Sequence, residues 1–272
     1  MLNFRKKRRS PEIVAIANQK GGVGKTTTAI NLGAALAQFG RRILVLDMDP
    51  QGNASTGLGA DADKRGDTTR EVLSGEASLV ATAMQTQLPG LFLIPSTTDL
   101  HSADMVMASQ KERVYFLRNA IKKDAENLLE YDFAFVDCPP SLNLLTINAL
   151  AAADSLLSPL QSEFFALEGL SQLILTMREI RKSVNPMLKM EGIVLTMHDS
   201  RNNLSRMVES DARNTLKQLV YETVIPRNVT LGEAPSFGKP VVVYDKRSRG
   251  AVAYRELAAE FLRRREQKKN DS

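Results

Sequence analysis

The segment Lys20-Gly21-Gly22-Val23-Gly24-Lys25-Thr26-Thr27 lies between an apolar run, Ile13 to Ala17, and an apolar-periodic stretch, Ala29 to Phe39. That order reads as strand, phosphate loop and helix, and it implies binding of a nucleoside triphosphate. The glycines let backbone N–H groups turn inward without a Cβ clash, at a helix N-terminus whose dipole favours anions. Lys25 is placed to neutralise the β- and γ-phosphates, and the Thr26 hydroxyl to ligate Mg²⁺. A glycine usually stands six residues before that lysine, but here the position is Gln19, and a second lysine, Lys20, follows it.

Two further segments put carboxylates at strand ends, where ligands gather in open α/β sheets. In Arg42-Ile43-Leu44-Val45-Leu46-Asp47-Met48-Asp49-Pro50-Gln51-Gly52, Asp47 closes a strand and Asp49 follows on a turn. Alternation puts both on one side, facing a terminal phosphate and the water that attacks it. In Phe133-Ala134-Phe135-Val136-Asp137-Cys138-Pro139-Pro140, an apolar run ends in an aspartate, a Walker B pattern in which Asp137 holds Mg²⁺ through a water. Cys138 reads as a small buried residue. With only His101 and His198, no histidine-based metal site or catalytic triad can be assembled.

The elements that position these groups alternate between short apolar runs and helical periodicity. That is the pattern of an α/β fold, a doubly wound, mostly parallel sheet with helices on both faces. Strands are expected at Ile13–Ala17, Arg42–Asp47, Leu91–Pro95, Phe133–Asp137, Ser155–Pro159, Met190–Met197, Tyr221–Ile225 and Val241–Tyr244. The clearest helices are Lys25–Phe39, Lys111–Leu129, Leu167–Val184, Asn203–Leu219 and Val252–Arg265. Residues 55–90 are small, polar and weakly periodic. The reading is one domain over 11–265, with a basic flexible tail at 1–10 and a second tail at 266–272.

The chain has 272 residues, 43% of them hydrophobic, and a formal charge of +5, which points to an anionic partner surface. A single cysteine excludes an intramolecular disulfide and fits a reducing cytoplasm. Nothing approaches a membrane span, and the basic start of the chain lacks the apolar core of a signal peptide.

The loop KGGVGKTTT is similar to the deviant Walker A motif of the ParA/MinD ATPases. The stretches PQGNASTGLG (50–59), DCPPSLNLLTINAL (137–150), EFFALEGLSQL (163–173), LTMHDSRNNLS (195–205) and IPRNVTLGEAPSFGKP (225–240) extend that likeness over nearly the whole chain, and all resemble chromosomal ParA/Soj proteins. The short segment before Ile13 leaves no room for the helix-turn-helix domain of the long plasmid forms, so the resemblance is to the short form. It implies that ATP and Mg²⁺ are the ligands, that Asp49 orients the attacking water with Asp47 behind it, and that Pro226 and Asn228 read the adenine. It also implies an ATP-dependent homodimer in which each Lys20 reaches the partner's phosphates. That dimer binds double-stranded DNA without sequence preference, in the cytoplasm on the nucleoid, and a ParB-type protein with a basic N-terminal segment stimulates its slow hydrolysis. Arg201 matches a family position that contacts DNA, with Arg206, Arg227, Lys246, Arg247 and Arg249 as companions. Where many relatives carry arginine and serine, this chain has Thr230 and Gly232, so the basic Arg5-Lys6-Lys7-Arg8-Arg9 tail compensates or DNA affinity falls.

Three other readings use the same motifs. A ParA-type positioner of a protein cargo shares the ATPase and DNA steps. A MinD-like membrane switch needs an amphipathic C-terminal anchor, whereas Val252, Tyr254, Leu257, Phe261 and Leu262 form a core-packing pattern followed by a polar tail. A nitrogenase-reductase relative needs cluster cysteines that one cysteine cannot supply.

Overall fold

The computed structural model describes residues 10–163 and 166–270, the side chains of 104, 166–170, 173 and 268–270 apart. Seven strands form one sheet: β1 (Glu12–Ile16), β2 (Ile43–Asp47), β3 (Met84–Gln85), β4 (Leu91–Ile94), β5 (Phe133–Asp137), β6 (Ser155–Gln161) and β7 (Lys189–Thr196). Their order is β3-β4-β2-β5-β1-β6-β7, and every pairing is parallel except the short β3 edge strand against β4. Parallel strands covered on both faces read as continuous apolar runs because alternate residues enter two different cores. Ile13, Ala15, Leu44, Leu46, Ala134 and Val136 join one core. Val14, Ile16, Ile43, Val45, Phe133 and Phe135 join the other, beneath α1 (Lys25–Gln38) and the C-terminal helix Arg249–Asn270.

Two expected strands take other forms. At Tyr221–Ile225 the chain runs along β7, with the Tyr221 and Ile225 amides donating to Ile193 and Leu195. The amides between, those of Glu222 and Thr223, are captured by the Glu260 carboxylate at 2.8 and 2.9 Å. A side chain of the C-terminal helix therefore takes donors from the segment, and two isolated bridges remain at its ends, Ile193 to Val220 and His198 to Pro226. Val241–Tyr244 is a single helical turn despite its β-branched composition. Pro240 sets its entry, the Val241 amide donates to Asn31 Oδ1 of α1 at 2.7 Å, and Val241 and Val242 are buried.

Other boundaries shift. The long helix expected over Lys111–Leu129 is Phe116–Lys123 followed by a 3₁₀ turn at Asn127–Glu130. Residues 55–90 hold short helices, Thr69–Ser74 and Leu79–Thr82, the first closed by a capping box between Thr68 and Glu71. The C-terminal helix continues through Glu266 to Asn270, into the segment expected to be a tail. It packs through Tyr254, Leu257 and Phe261, all buried, whereas Val252 of the expected core pattern is exposed. Arg265 anchors its end, buried between Glu12 at 2.7 Å and Glu191 at 2.8 Å. Of the expected basic tail at 1–10, residues 1–9 lie outside the described residues, as do 271–272. Among the described residues no helix is long and apolar enough to cross a membrane.

Candidate nucleotide site

The sharp turn from β1 into α1 depends on Gly22 and Gly24, which hold left-handed backbone at φ 74° and 89°. Gly24 is the N-cap of α1, and no side chain caps that terminus. The first-turn N–H groups of α1 therefore remain free to bind a ligand, with the helix dipole behind them. Gly21, Gly22, Gly24, Thr26 and Thr27 line a cavity of about 510 Å³ at this point. Val23 faces inward, buried, and its carbonyl accepts from the Thr196 hydroxyl at 2.8 Å, tying the loop to the end of β7.

Lys25 lines the same cavity and is nearly buried, and its ammonium donates to the Lys20 carbonyl at 2.9 Å. Burial lowers its pKa, while the nearby Asp137, Cys138 and Asp49 oppose that shift. A lysine held with so few partners is poised to take an anion.

The carboxylates sort differently from their sequence reading. Parallel register sets Asp47 of β2 directly beside Asp137 of β5, and both are fully buried. Asp47 is committed to the protein: its Oδ2 accepts from the Ser55 amide at 2.8 Å and the Ser55 hydroxyl at 2.6 Å, and its Oδ1 from the Asp49 amide at 3.1 Å. Burial nevertheless pushes its carboxyl up to about 6. Asp47 does not line the cavity, so of the pair expected to face the phosphate only Asp49 does. Asp49 holds the turn by accepting from the Gln51 amide at 3.0 Å.

Asp137 has no hydrogen-bond partner at either carboxylate oxygen. Burial first, and Asp47 second, push its carboxyl well above the usual range, opposed by the Thr26 hydroxyl and Lys25. An orphaned, buried carboxylate beside a hydroxyl at a phosphate loop has the donor chemistry of a Mg²⁺ site. Among the described residues there is no cluster of three or more His, Cys, Asp or Glu that could hold a metal ion. Cys138 is buried, as its sequence context suggests.

Lys20 stands at the loop edge, its ammonium paired with Glu163 of the same chain. Pro226 pairs with His198 in an isolated bridge, and Asn228 is the N-cap of Val229–Glu233. Neither borders the cavity, whose far wall is instead Leu231, Gly232, Pro235 and Ser236. Asn53, Thr56, Pro140, Met197 and Ile30 also line it, none of them among the residues expected at the site. The signal was present, since Asn53 and Thr56 fall within PQGNASTGLG and Pro140 within DCPPS.

All six expected DNA-contacting cations are exposed. Arg201 pairs with Asp199, Arg206 leans on the Asn203 side chain, and the Arg227 amide donates to the His198 carbonyl at 3.0 Å. Lys246, Arg247 and Arg249 occupy the turn into the C-terminal helix, where Arg255 donates to the Lys246 carbonyl at 2.7 Å.

A protein-family model described as an AAA domain matches residues 11–190. The chain is 53% identical over 252 residues to the chromosome partitioning protein ParA of Caulobacter vibrioides, covering 93% of this chain and 94% of that protein. It is 47% identical to the sporulation initiation inhibitor protein Soj of Bacillus subtilis, covering 92% and 97% respectively. Among solved structures it is similar to cobyrinic acid a,c-diamide synthase of Mycobacterium smegmatis with bound ATP analogue and magnesium. That match has 38% identity, a TM-score of 0.79 and coverage of 93% of this chain and 95% of that one. Both the deviant phosphate loop in its strand-loop-helix setting and the full-length likeness lead to one assignment: the chain belongs to the ParA/Soj family of chromosome-partitioning P-loop ATPases.

Proposed function

We propose that the protein is a slow, Mg²⁺-dependent ATPase whose ATP form dimerises, binds double-stranded DNA without sequence preference and drives chromosome partition. In this reading a ParB-type partner stimulates hydrolysis and releases the DNA. The observation that carries the nucleotide part is the uncapped N-terminus of α1 opening into one cavity with Lys25 and Asp49, beside the orphaned carboxylate of Asp137.

The free amides of the loop and the first turn of α1 take the β-phosphate oxygens, and Lys25 balances the charge of the β- and γ-phosphates. Thr26 and Asp137, the latter through a water, would hold Mg²⁺, which supplies further neutralisation of the phosphate oxygens. Asp49 accepts a hydrogen bond from the attacking water and orients it. Asp47, anchored by Ser55, holds the backbone from which Asp49 projects. The remaining cavity wall, Leu231, Gly232, Pro235 and Ser236, faces the base, and Pro226 and Asn228, which do not line the cavity, would read the adenine only from an arrangement in which they move to its edge. Lys20 must leave Glu163 to reach a partner's nucleotide, so closing the dimer exchanges one ion pair for contacts to phosphate.

The test combines ATP hydrolysis, ATP binding by calorimetry and sedimentation with duplex DNA, each on the unaltered chain and on Lys25→Ala. The expected result is magnesium-dependent turnover and ATP-dependent DNA binding, both lost with Lys25→Ala together with nucleotide binding. Nucleotide binding of normal strength by Lys25→Ala refutes the site.

A further inference from the structure

Arg201 projects into solvent with 89% of its side chain exposed, yet its guanidinium is already occupied. Nε donates to Asp199 Oδ1 at 3.1 Å and Nη2 donates to Asp199 Oδ2 at 3.1 Å. Two parallel N–H···O bonds to a planar anion are also how an arginine takes a phosphate. The carboxylate is held there by the backbone. Its Oδ1 accepts from the Arg201 amide at 3.0 Å, and the Asn202 amide donates to the Asp199 carbonyl at 2.9 Å, closing a turn beneath the guanidinium. Arg201, together with the charge of Arg227, holds the Asp199 carboxyl down to about 2, so the group is anionic at any physiological pH. Among the six exposed cations Asp199 thus pairs with Arg201, whereas Arg206 leans on a neutral amide.

We infer that Asp199 is an internal competitor of DNA phosphate: it occupies the fork of Arg201, and a duplex has to displace it before that arginine contributes to binding. This rests on the reading of the chain as a DNA-binding switch and adds the residue that sets its affinity. DNA affinity of this kind comes from phosphate neutralisation and counterion release, so a cation already paired within the protein adds less to both than a free one. The competitor sits on Arg201, and its effect is therefore expected with ADP as well as with an ATP analogue bound.

The decisive variant is Asp199→Asn. Asparagine keeps the side-chain oxygen that accepts from the Arg201 amide, so the turn survives and only the charge is removed. Affinity for unrelated duplexes is measured across a salt series, with a nonhydrolysable ATP analogue and with ADP, beside ATP-analogue-driven dimerisation by light scattering. The expected result is a gain of about two- to fivefold as Arg201 is freed. The plot of log affinity against log salt should steepen by up to about 0.9. Dimerisation should be unaltered, and Arg201→Gln added to Asp199→Asn should abolish the gain. An unaltered affinity and slope for Asp199→Asn, beside clear binding by the wild-type chain, overturns the inference alone. A gain that persists without Arg201, or that comes with altered dimerisation, overturns it too. If the wild-type chain binds no duplex in either nucleotide state, the DNA reading itself fails and the inference goes with it.

Discussion

Asp137→Asn should move intrinsic stability and ligand response in opposite directions. In the unliganded protein the Asp137 carboxylate is fully buried, without a hydrogen-bond partner at either oxygen, and in register beside Asp47. Lys25 and the Thr26 hydroxyl offset the charge only in part, since its carboxyl stays well above the usual range, and a buried charge left without its partner costs on the order of 3–5 kcal/mol. An isosteric amide in the same place leaves its own polar atoms unpaired at about 1–3 kcal/mol. The difference favours the variant by about 2 kcal/mol, which for a domain of this size raises the midpoint of thermal unfolding by about 4–8 °C. The gain grows with pH, because the wild-type carboxyl, pushed up by burial and by Asp47, must ionise in place as the pH rises. With Mg²⁺ and ATP the order reverses: the wild-type chain gains from linkage and the variant loses the magnesium-dependent part. Thermal unfolding at pH 7.5, with and without Mg²⁺-ATP, reads both effects. A variant no more stable than wild type without ligand refutes the argument from the orphaned charge. A variant that keeps the full magnesium-dependent rise refutes Asp137 as the cation's anchor.

Asp47 makes the pH dependence of the unliganded chain explicit. With its carboxyl pushed up to about 6 from 3.8, the folded state holds a proton that the unfolded chain releases earlier. Its contribution is thus fully present below about pH 4 and lost as pH rises through about 6, a fall of about 3 kcal/mol seen in denaturant titrations; a stability that rises over that range for this group contradicts it. Ser55→Ala removes the hydroxyl that donates to Asp47 at 2.6 Å and accepts from the Ser96 amide at 2.9 Å, and chemical denaturation should show a loss of about 3 kcal/mol. Lys20→Ala should spare ATP binding by the monomer while preventing the stable ATP dimer, and a normal dimer by light scattering removes the trans role of that lysine. Asp49→Ala should bind ATP and accumulate as a dimer on DNA with hydrolysis reduced about 100-fold or more, since orientation of the water is lost; turnover at the wild-type rate assigns the role elsewhere.

The local parts of the site were legible in the sequence because local geometry makes them. Glycines at 22 and 24 permit one turn of backbone, a helix follows directly, and Lys25 and Thr26 fall in its first turn wherever the rest of the chain goes. Asp47 and Asp137 each end an apolar run, and an apolar run of that length between turns is a buried parallel strand, so their place at the ends of β2 and β5 followed as well. The tertiary structure alone decided what each group meets. Whether Asp47 faces ligand or protein depended on Ser55, eight residues on, whereas Asp137 meets only the Thr26 hydroxyl and the charge of Lys25, neither of which closes a hydrogen bond of good geometry. The far wall of the cavity, Leu231 to Ser236, comes from the other end of the chain. At Tyr221–Ile225 and Val241–Tyr244, strand propensity yielded to Glu260 and Asn31, side chains remote in sequence that took the backbone donors first. Propensity and pattern act over a few residues, whereas the partner of a buried polar group is chosen by whatever the packed chain brings within hydrogen-bond reach.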